Sequence, residues 1–180
     1  MKRDLVKLTD ACDFQGGSQP PKDQWITTPK EGYIRMLQIR DFTQNRVVEE
    51  FIKLTNTTKT CEEDDILIAR YGASVGKILT GLAGAYNVAI MKTIPRPEIL
   101  DKRYLYYFLK TEYFQNIIQN VGSRAAQAGF NKAELESINI YIQSLDEQQE
   151  TVNILNKANQ LINSRKEQIQ ACDELIKSQF

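Results

Sequence analysis

"DDILIARYGASVGKI" (residues 64–78) admits two readings, a phosphate-binding loop or a β-hairpin, and the choice sets the fold class. A phosphate-cradling P-loop has four residues between its glycines, then Lys, then Ser or Thr to hold magnesium. Here Gly72 and Gly76 enclose three residues, and Lys77 is followed by Ile78. The loop is too short and lacks the metal-holding hydroxyl. Apolar, β-branched runs flank small turn residues instead, so the stretch reads as strand, exposed turn, strand. The glycines shape the turn.

The same character extends through the first hundred residues. "YIRMLQI" (33–39), "KILTG" (77–81) and "AYNVAIMKTI" (85–94) read as strands, and "GGSQPPKDQW" (16–25), with two Gly and two Pro, as a loop. Pro95 and Pro97 end the sheet region. Asp101 caps one helix running to about Asn120 and closed by Gly122, with Leu105, Leu109, Tyr113 and Ile117 as its apolar stripe. Residues 122–131 are a loop, Asn131 caps a short turn over "KAELE", and "SINIYI" (137–142) is a further strand.

From Asp146 to Phe180 there is neither Gly nor Pro. Leu155, Ile162, Ile169 and Ile176 recur every seven residues, followed three later by Ala158, Arg165, Cys172 and Gln179. Ile154, Leu161 and Leu175 broaden the seam. Such a helix runs about 50 Å, beyond the body of a small domain, so its end projects and needs a partner helix.

Composition limits function. Lys plus Arg equals Asp plus Glu, 23 each, so no global basic footprint announces nucleic acid. Histidine is absent, which removes the commonest general base and metal ligand. Cys12, Cys61 and Cys172 have no zinc spacing and read as reduced, mostly buried thiols. Four carboxylates in "CEEDDI" (61–66) read as a solvated acidic turn rather than a metal site. No cofactor motif, signal peptide or membrane-length apolar run is present, and a cytoplasmic location is expected.

Several segments, in order, resemble the specificity subunit of type I restriction-modification systems. "FQGGSQPP" looks like the family's opening strand and Gly-Gly-Thr-Pro loop, and "YIRMLQIRDF" like its strand leading to an Ile-x-x-Asp turn. "DDILIARYGASVGKI" is similar to its Gly-Asp-Ile-Leu-hydrophobic-x-Arg-x-Gly-x-x-Gly element. "YLYYFLKT" resembles its helix, and "GSRAAQAGFNKAELESINI" its following loop and strand. The family's conserved region opens Pro-Pro-Leu-x-Glu-Gln; here Leu145, Glu147 and Gln148 match, while Gln143 and Ser144 replace the prolines.

The resemblance implies an α+β fold: a mainly β target-recognition domain with packed helices (residues 1–143), then a long projecting helix (144–180) that forms an antiparallel coiled coil. It implies a non-catalytic, sequence-specific reader of double-stranded DNA that directs partner modification (methyltransferase) and restriction subunits to a split site. The chain has about half the family's usual length. It is then either a half-sized subunit that homodimerises or the first half of a longer one. Expected DNA-contacting residues lie on three loops: Lys22 and Trp25; Arg70, Tyr71, Ser74 and Lys77; Ser123, Arg124, Gln127 and Lys132. Arg40 joins them, with Gln38 and Asn87 as further candidates at strand ends. The expected subunit interface is Ile154, Leu155, Leu161, Ile162, Ile169, Cys172 and Ile176. Two rival functions are a small DNA-cleaving enzyme and a coiled-coil adaptor without DNA binding.

Overall fold

The computed structural model describes residues 4–124 and 129–178. Its elements in chain order are β1 (Asp4–Lys7), α1 (Leu8–Ala11), β2 (Cys12–Gly16), β3 (Tyr33–Leu37), α2 (Ile39–Thr43), β4 (Phe51–Lys53), β5 (Thr60–Cys61), β6 (Leu67–Ala69), β7 (Ile78–Leu79), β8 (Gly84–Tyr86), β9 (Ile90–Pro95), α3 (Lys102–Leu109), α4 (Glu112–Arg124), α5 (Lys132–Leu135), β10 (Asn139–Ile142) and α6 (Leu145–Ser178). The strands make a β1-β10 ribbon and two four-stranded sheets, ordered β2-β9-β6-β7 and β4-β3-β8-β5. The fold is α+β, as expected.

Strand β6 shows why "DILIA" is continuously apolar. Ile68 points into a core with Phe14, Met91, Leu105, Leu109, Phe114 and Ile118, beneath α3 and α4. Leu67 and Ala69 point the other way, into a core with Leu37, Tyr86 and Ile90 that joins the two larger sheets. Both faces are covered, so both sets of alternate residues must be apolar. The hairpin also forms: Leu67 pairs with Leu79 and Ile68 with Ile78. A single 3-10 turn over Gly72–Ser74 fills the bend, with Gly72 and Gly76 at positive φ.

Two single-element expectations give way to pairs. "AYNVAIMKTI" divides into β8 and β9, because the Asn87 side chain accepts a hydrogen bond from Ala89 N at 3.1 Å and turns the chain. The expected helix from Asp101 begins as predicted, with Asp101 accepting from Tyr104 N, but breaks after Leu109. The Thr111 hydroxyl, 3.4 Å from Phe114 N, starts α4. The break shifts the buried phase from Leu105 and Leu109 to Phe114 and Ile118, leaving Tyr113 exposed. Helix α4 then continues past Gly122 to Arg124, so Ser123 and Arg124 belong to its last turn and not to a loop.

Helix α6 starts without the family's prolines because Ser144 and Glu147 cap each other: Ser144 N donates to Glu147 Oε2 at 3.1 Å, and Glu147 N to Ser144 Oγ at 3.4 Å. One turn later the fully buried Gln148 locks the helix to the body. Its Nε2 donates to Ile99 O and Gln143 O, both at 2.8 Å, and its Oε1 accepts from Asp101 N at 2.9 Å. Tyr107 of α3 then donates to Asn156 Oδ1 at 2.6 Å and accepts from Asn159 at 3.0 Å. From Lys157 onward every described residue of the helix is exposed. Two cysteines are buried and one, Cys172, is exposed on this arm. Burial pushes the Cys12 thiol up to about 12 and that of Cys61 to about 11.

Asp65, just before β6, bridges Lys92 of β9 at 2.5 Å and Lys102 of α3 at 3.4 Å. Burial alone would raise its carboxyl, but the hydrogen bond from Lys92 and the two cations outweigh burial and hold it below the ordinary range. A carboxyl depressed in the folded state stabilises fully above its unfolded range and loses that contribution as pH falls through the folded value. The acid-unfolding limb of Asp65→Asn should therefore be shallower than that of the wild type below about pH 4. Identical limbs would show that the bridge carries no linkage. Gln148→Leu keeps the volume but removes three part-buried hydrogen bonds, each worth about 0.5–1.5 kcal/mol. Its thermal midpoint should fall by several degrees, at roughly 2–4 °C per kcal/mol; an unchanged midpoint contradicts the lock.

Candidate nucleic-acid interface

Strand directions gather the candidate residues at one end of the sheets. The end of β2 at Gly16, the end of β6 at Ala69 and the start of β9 at Ile90 lie together, since Gly16 pairs with Met91 and Ala69 with Ile90. Strands β3 and β8 are parallel, so their ends, Leu37 and Tyr86, meet the same edge. One backbone bond fastens the two sheets there, Ser18 N to Tyr86 O at 3.1 Å, and Asn87 N to Leu37 O, also at 3.1 Å, extends the β3–β8 pairing to the same edge. A Cβ on Gly17 would lie 2.1 Å from Asn87 O, so only glycine allows this close crossing.

On one side of this edge Glu50 is a hub. It accepts from Lys22 and from Arg40, each at 2.5 Å, and from Gln38 Nε2 at 2.8 Å. Burial raises its carboxyl, yet hydrogen bonds from Lys22 and Gln38 and the charges of Lys22 and Arg40 prevail, holding it below the usual range. Lys22 also sits 3.8 Å above the Trp25 ring, whose Nε1 donates to Pro20 O at 3.1 Å. Thus Lys22, Trp25, Gln38 and Arg40 form one cluster around a carboxylate. Sequence reading missed Glu50 because its partners lie up to 28 residues away, beyond any local motif.

On the other side lies the 70–77 turn. Tyr71, Gly72, Ala73 and Lys77 are exposed, while Ser74 is half-buried. Tyr71 bridges Gly129 through the backbone, which brings the segment after α4 against the turn. Arg70 points inward: Nε donates to Phe130 O at 3.1 Å and Nη1 to Val88 O at 3.3 Å. Lys132 is ion-paired with Asp13 of β2, and its hydrogen bond holds that carboxyl below the usual range. Ser123 and Arg124 lie in the last turn of α4, and Gln127 lies outside the described residues.

The expected interface residues occupy α6. Leu155 is half-buried beside α3, whereas Ile154, Leu161, Ile162, Ile169, Cys172 and Ile176 are exposed, Leu161 and Ile162 at 66% and 51%. A groove of about 490 Å³ between α3 and α6, lined by Tyr107, Phe108, Leu155, Ala158 and Ile162 among others, continues this seam onto the body. Among the described residues no group of three or more His, Cys, Asp or Glu is placed to hold a metal. Among the described residues no helix is long and apolar enough to cross a membrane.

Comparison with known proteins places this geometry in a family. The chain is 25% identical over 174 residues to the type I restriction enzyme MjaVIII specificity subunit of Methanocaldococcus jannaschii, covering 97% of this chain and 40% of that protein. The HsdS subunit of Thermoanaerobacter tengcongensis superposes with a TM-score of 0.70 at 21% identity, over 90% of this chain and 38% of that one. A chain from a structure of type I R-M complex assembly and conformational transition gives 0.71 at 20% identity, over 90% and 39%. The chain therefore spans about two fifths of the length of these relatives. Residues 3–171 match the type I restriction modification DNA specificity domain, and the chain belongs to that family.

Proposed function

We propose that the chain is a sequence-specific DNA-recognition unit of a type I restriction-modification complex, non-catalytic by itself, acting in the cytoplasm with modification and restriction subunits. Residues 1–143 form the recognition part and 144–180 the spacer and pairing helix. The observation that carries this reading is the convergence of exposed, cation-bearing loops at one sheet edge in a chain of this family. Bases are read from such loops while cations hold phosphates. The overall charge balance does not oppose it, because Lys22, Arg40 and Lys77 lie at that edge and the acidic turn at 62–64 lies at the other end of β6. A DNA-cleaving enzyme and an adaptor without DNA binding have no observation in their favour.

The pairing helix is best satisfied by a second copy in antiparallel orientation. Burying each exposed Ile or Leu of the arm is worth about 1.5–3 kcal/mol, so an unpaired seam is costly. Centring the pair on Glu167 sets Ile162 opposite Cys172 and Ala158 opposite Ile176 of the second copy, alternating small and large side chains. The partner's last turns then reach the groove beside Tyr107. Two identical recognition units would read an inverted repeat with a fixed gap. The equivalent helix of a second recognition unit in one longer polypeptide offers the same seam.

Four measurements test these readings. Methylome sequencing of a host expressing the chain with its modification subunit should reveal a defined split motif; methylation without any motif contradicts sequence recognition. Lys77 enters no ion pair among the described residues. If it holds a phosphate, Lys77→Ala should weaken binding to every duplex and lower the log–log salt slope by about 0.9. For the helix, the antiparallel register sets the two Cys172 residues about 15 Å apart along the seam, too far for a disulfide. Ile162→Cys should cross-link to Cys172 on oxidation, whereas Cys172–Cys172 cross-linking in the wild type would indicate a parallel pair. A sedimenting monomer at tens of micromolar, unaffected by Ile162→Asp with Ile169→Asp, contradicts self-pairing.

A further inference from the structure

We propose that Arg70 and Gln115 are positioning residues that hold the 70–77 turn in a fixed shape for DNA, and that Arg70 does not itself contact DNA. The inference rests on the DNA-recognition reading above. The motif context of Arg70, a cation at the mouth of an exposed glycine turn, suggests a phosphate anchor; its geometry says otherwise. Its main-chain N donates to Ala89 O at 2.8 Å. Its guanidinium, half-buried, donates to carbonyls on two other segments, Val88 and Phe130. The guanidinium packs closely against Gly16, where a Cβ would lie 3.1 Å from Arg70 Nη1. One planar fork thus ties the turn between β8 and β9 and the segment after α4 to the start of the 70–77 turn. A lysine has one ammonium and lacks the fork that spans both carbonyls.

The far end of the turn is held as firmly. Gln115 Nε2 donates to Gly76 O at 2.9 Å and to Leu109 O at 2.7 Å. A Cβ on Gly76 would come 2.8 Å from Gln115 Oε1. Gly129 adds a third restraint, for a Cβ there would lie 2.2 Å from the Tyr71 ring. Between these anchors the turn offers Tyr71, 37% exposed, and Lys77 to a ligand. Fixing both ends lowers the ordering cost of binding and sharpens discrimination, because a wrong base cannot be accommodated by loop movement.

The test uses the full chain assembled with its modification subunit and a pool of duplexes of randomised sequence. Arg70→Ala and Gln115→Ala should each raise amide hydrogen exchange across residues 70–77 and cut discrimination between the selected duplex and its single-base variants about tenfold. The salt slope should stay at the wild-type value, and Arg70→Lys should not restore discrimination. The proposal is overturned if Arg70→Ala weakens all duplexes equally, lowers the slope by about one unit, and is rescued by Arg70→Lys, which is the behaviour of a phosphate contact. If Arg70→Ala does not fold, Gln115→Ala decides alone through exchange and discrimination. Should the wild-type complex select no sequence, the DNA reading fails. The clamp is still judged by exchange: unchanged protection of residues 70–77 in the variants overturns it.

Discussion

Pairing of β9 with β2 on one side and β6 on the other is the constraint on which the molecule depends. Strand β6 is covered on both faces, by α3 and α4 on one side and by the second large sheet on the other, while β2 and β9 bury Phe14, Met91 and Thr93 and leave Asp13 and Ile94 exposed. The central strand β6 is closed on both faces, so its two ends are what it presents to solvent. At one end lie Gly16, Arg70 and the Asn87 turn; at the other lie Asp65, Pro95 and Asp101, where α3 and α6 are rooted. The proposed DNA-facing edge and the root of the proposed pairing helix therefore lie at opposite ends of one frame.

Much of that frame was legible locally. Apolar, β-branched runs around small turn residues marked the β6–β7 hairpin, Asp101 and Asn131 announced their helices as caps, and the heptad spacing marked α6. What escaped was decided by single side chains that redirect the backbone. Asn87 splits an otherwise uniform apolar strand, and Thr111 restarts a helix whose periodicity looked continuous. Ser144 does the reverse, supplying with Glu147 a start that the family's prolines provide elsewhere.

The candidate interface was less legible, because its chemistry depends on long-range partners. Lys22, Arg40 and Arg70 look alike in sequence as cations near turns. In the fold two of them converge on Glu50, while the third is committed to carbonyls 18 and 60 residues away. Lys132, expected as a loop cation, is neutralised by Asp13. Residue type therefore identifies the neighbourhood, and hydrogen-bond partners distinguish contact residues from supports. Lys77 is exposed and enters no ion pair among the described residues.

The central claim is that the loop end of the β2-β9-β6 frame is the DNA-facing surface. Hydrogen exchange on the complex with its partner subunits, with and without its target duplex, tests it most directly. DNA should protect residues 16–25, 38–40, 70–77 and 86–89 and leave the opposite edge, 61–65 and 96–102, unchanged. Protection centred on that opposite edge, with the loop end unaffected, would contradict the account.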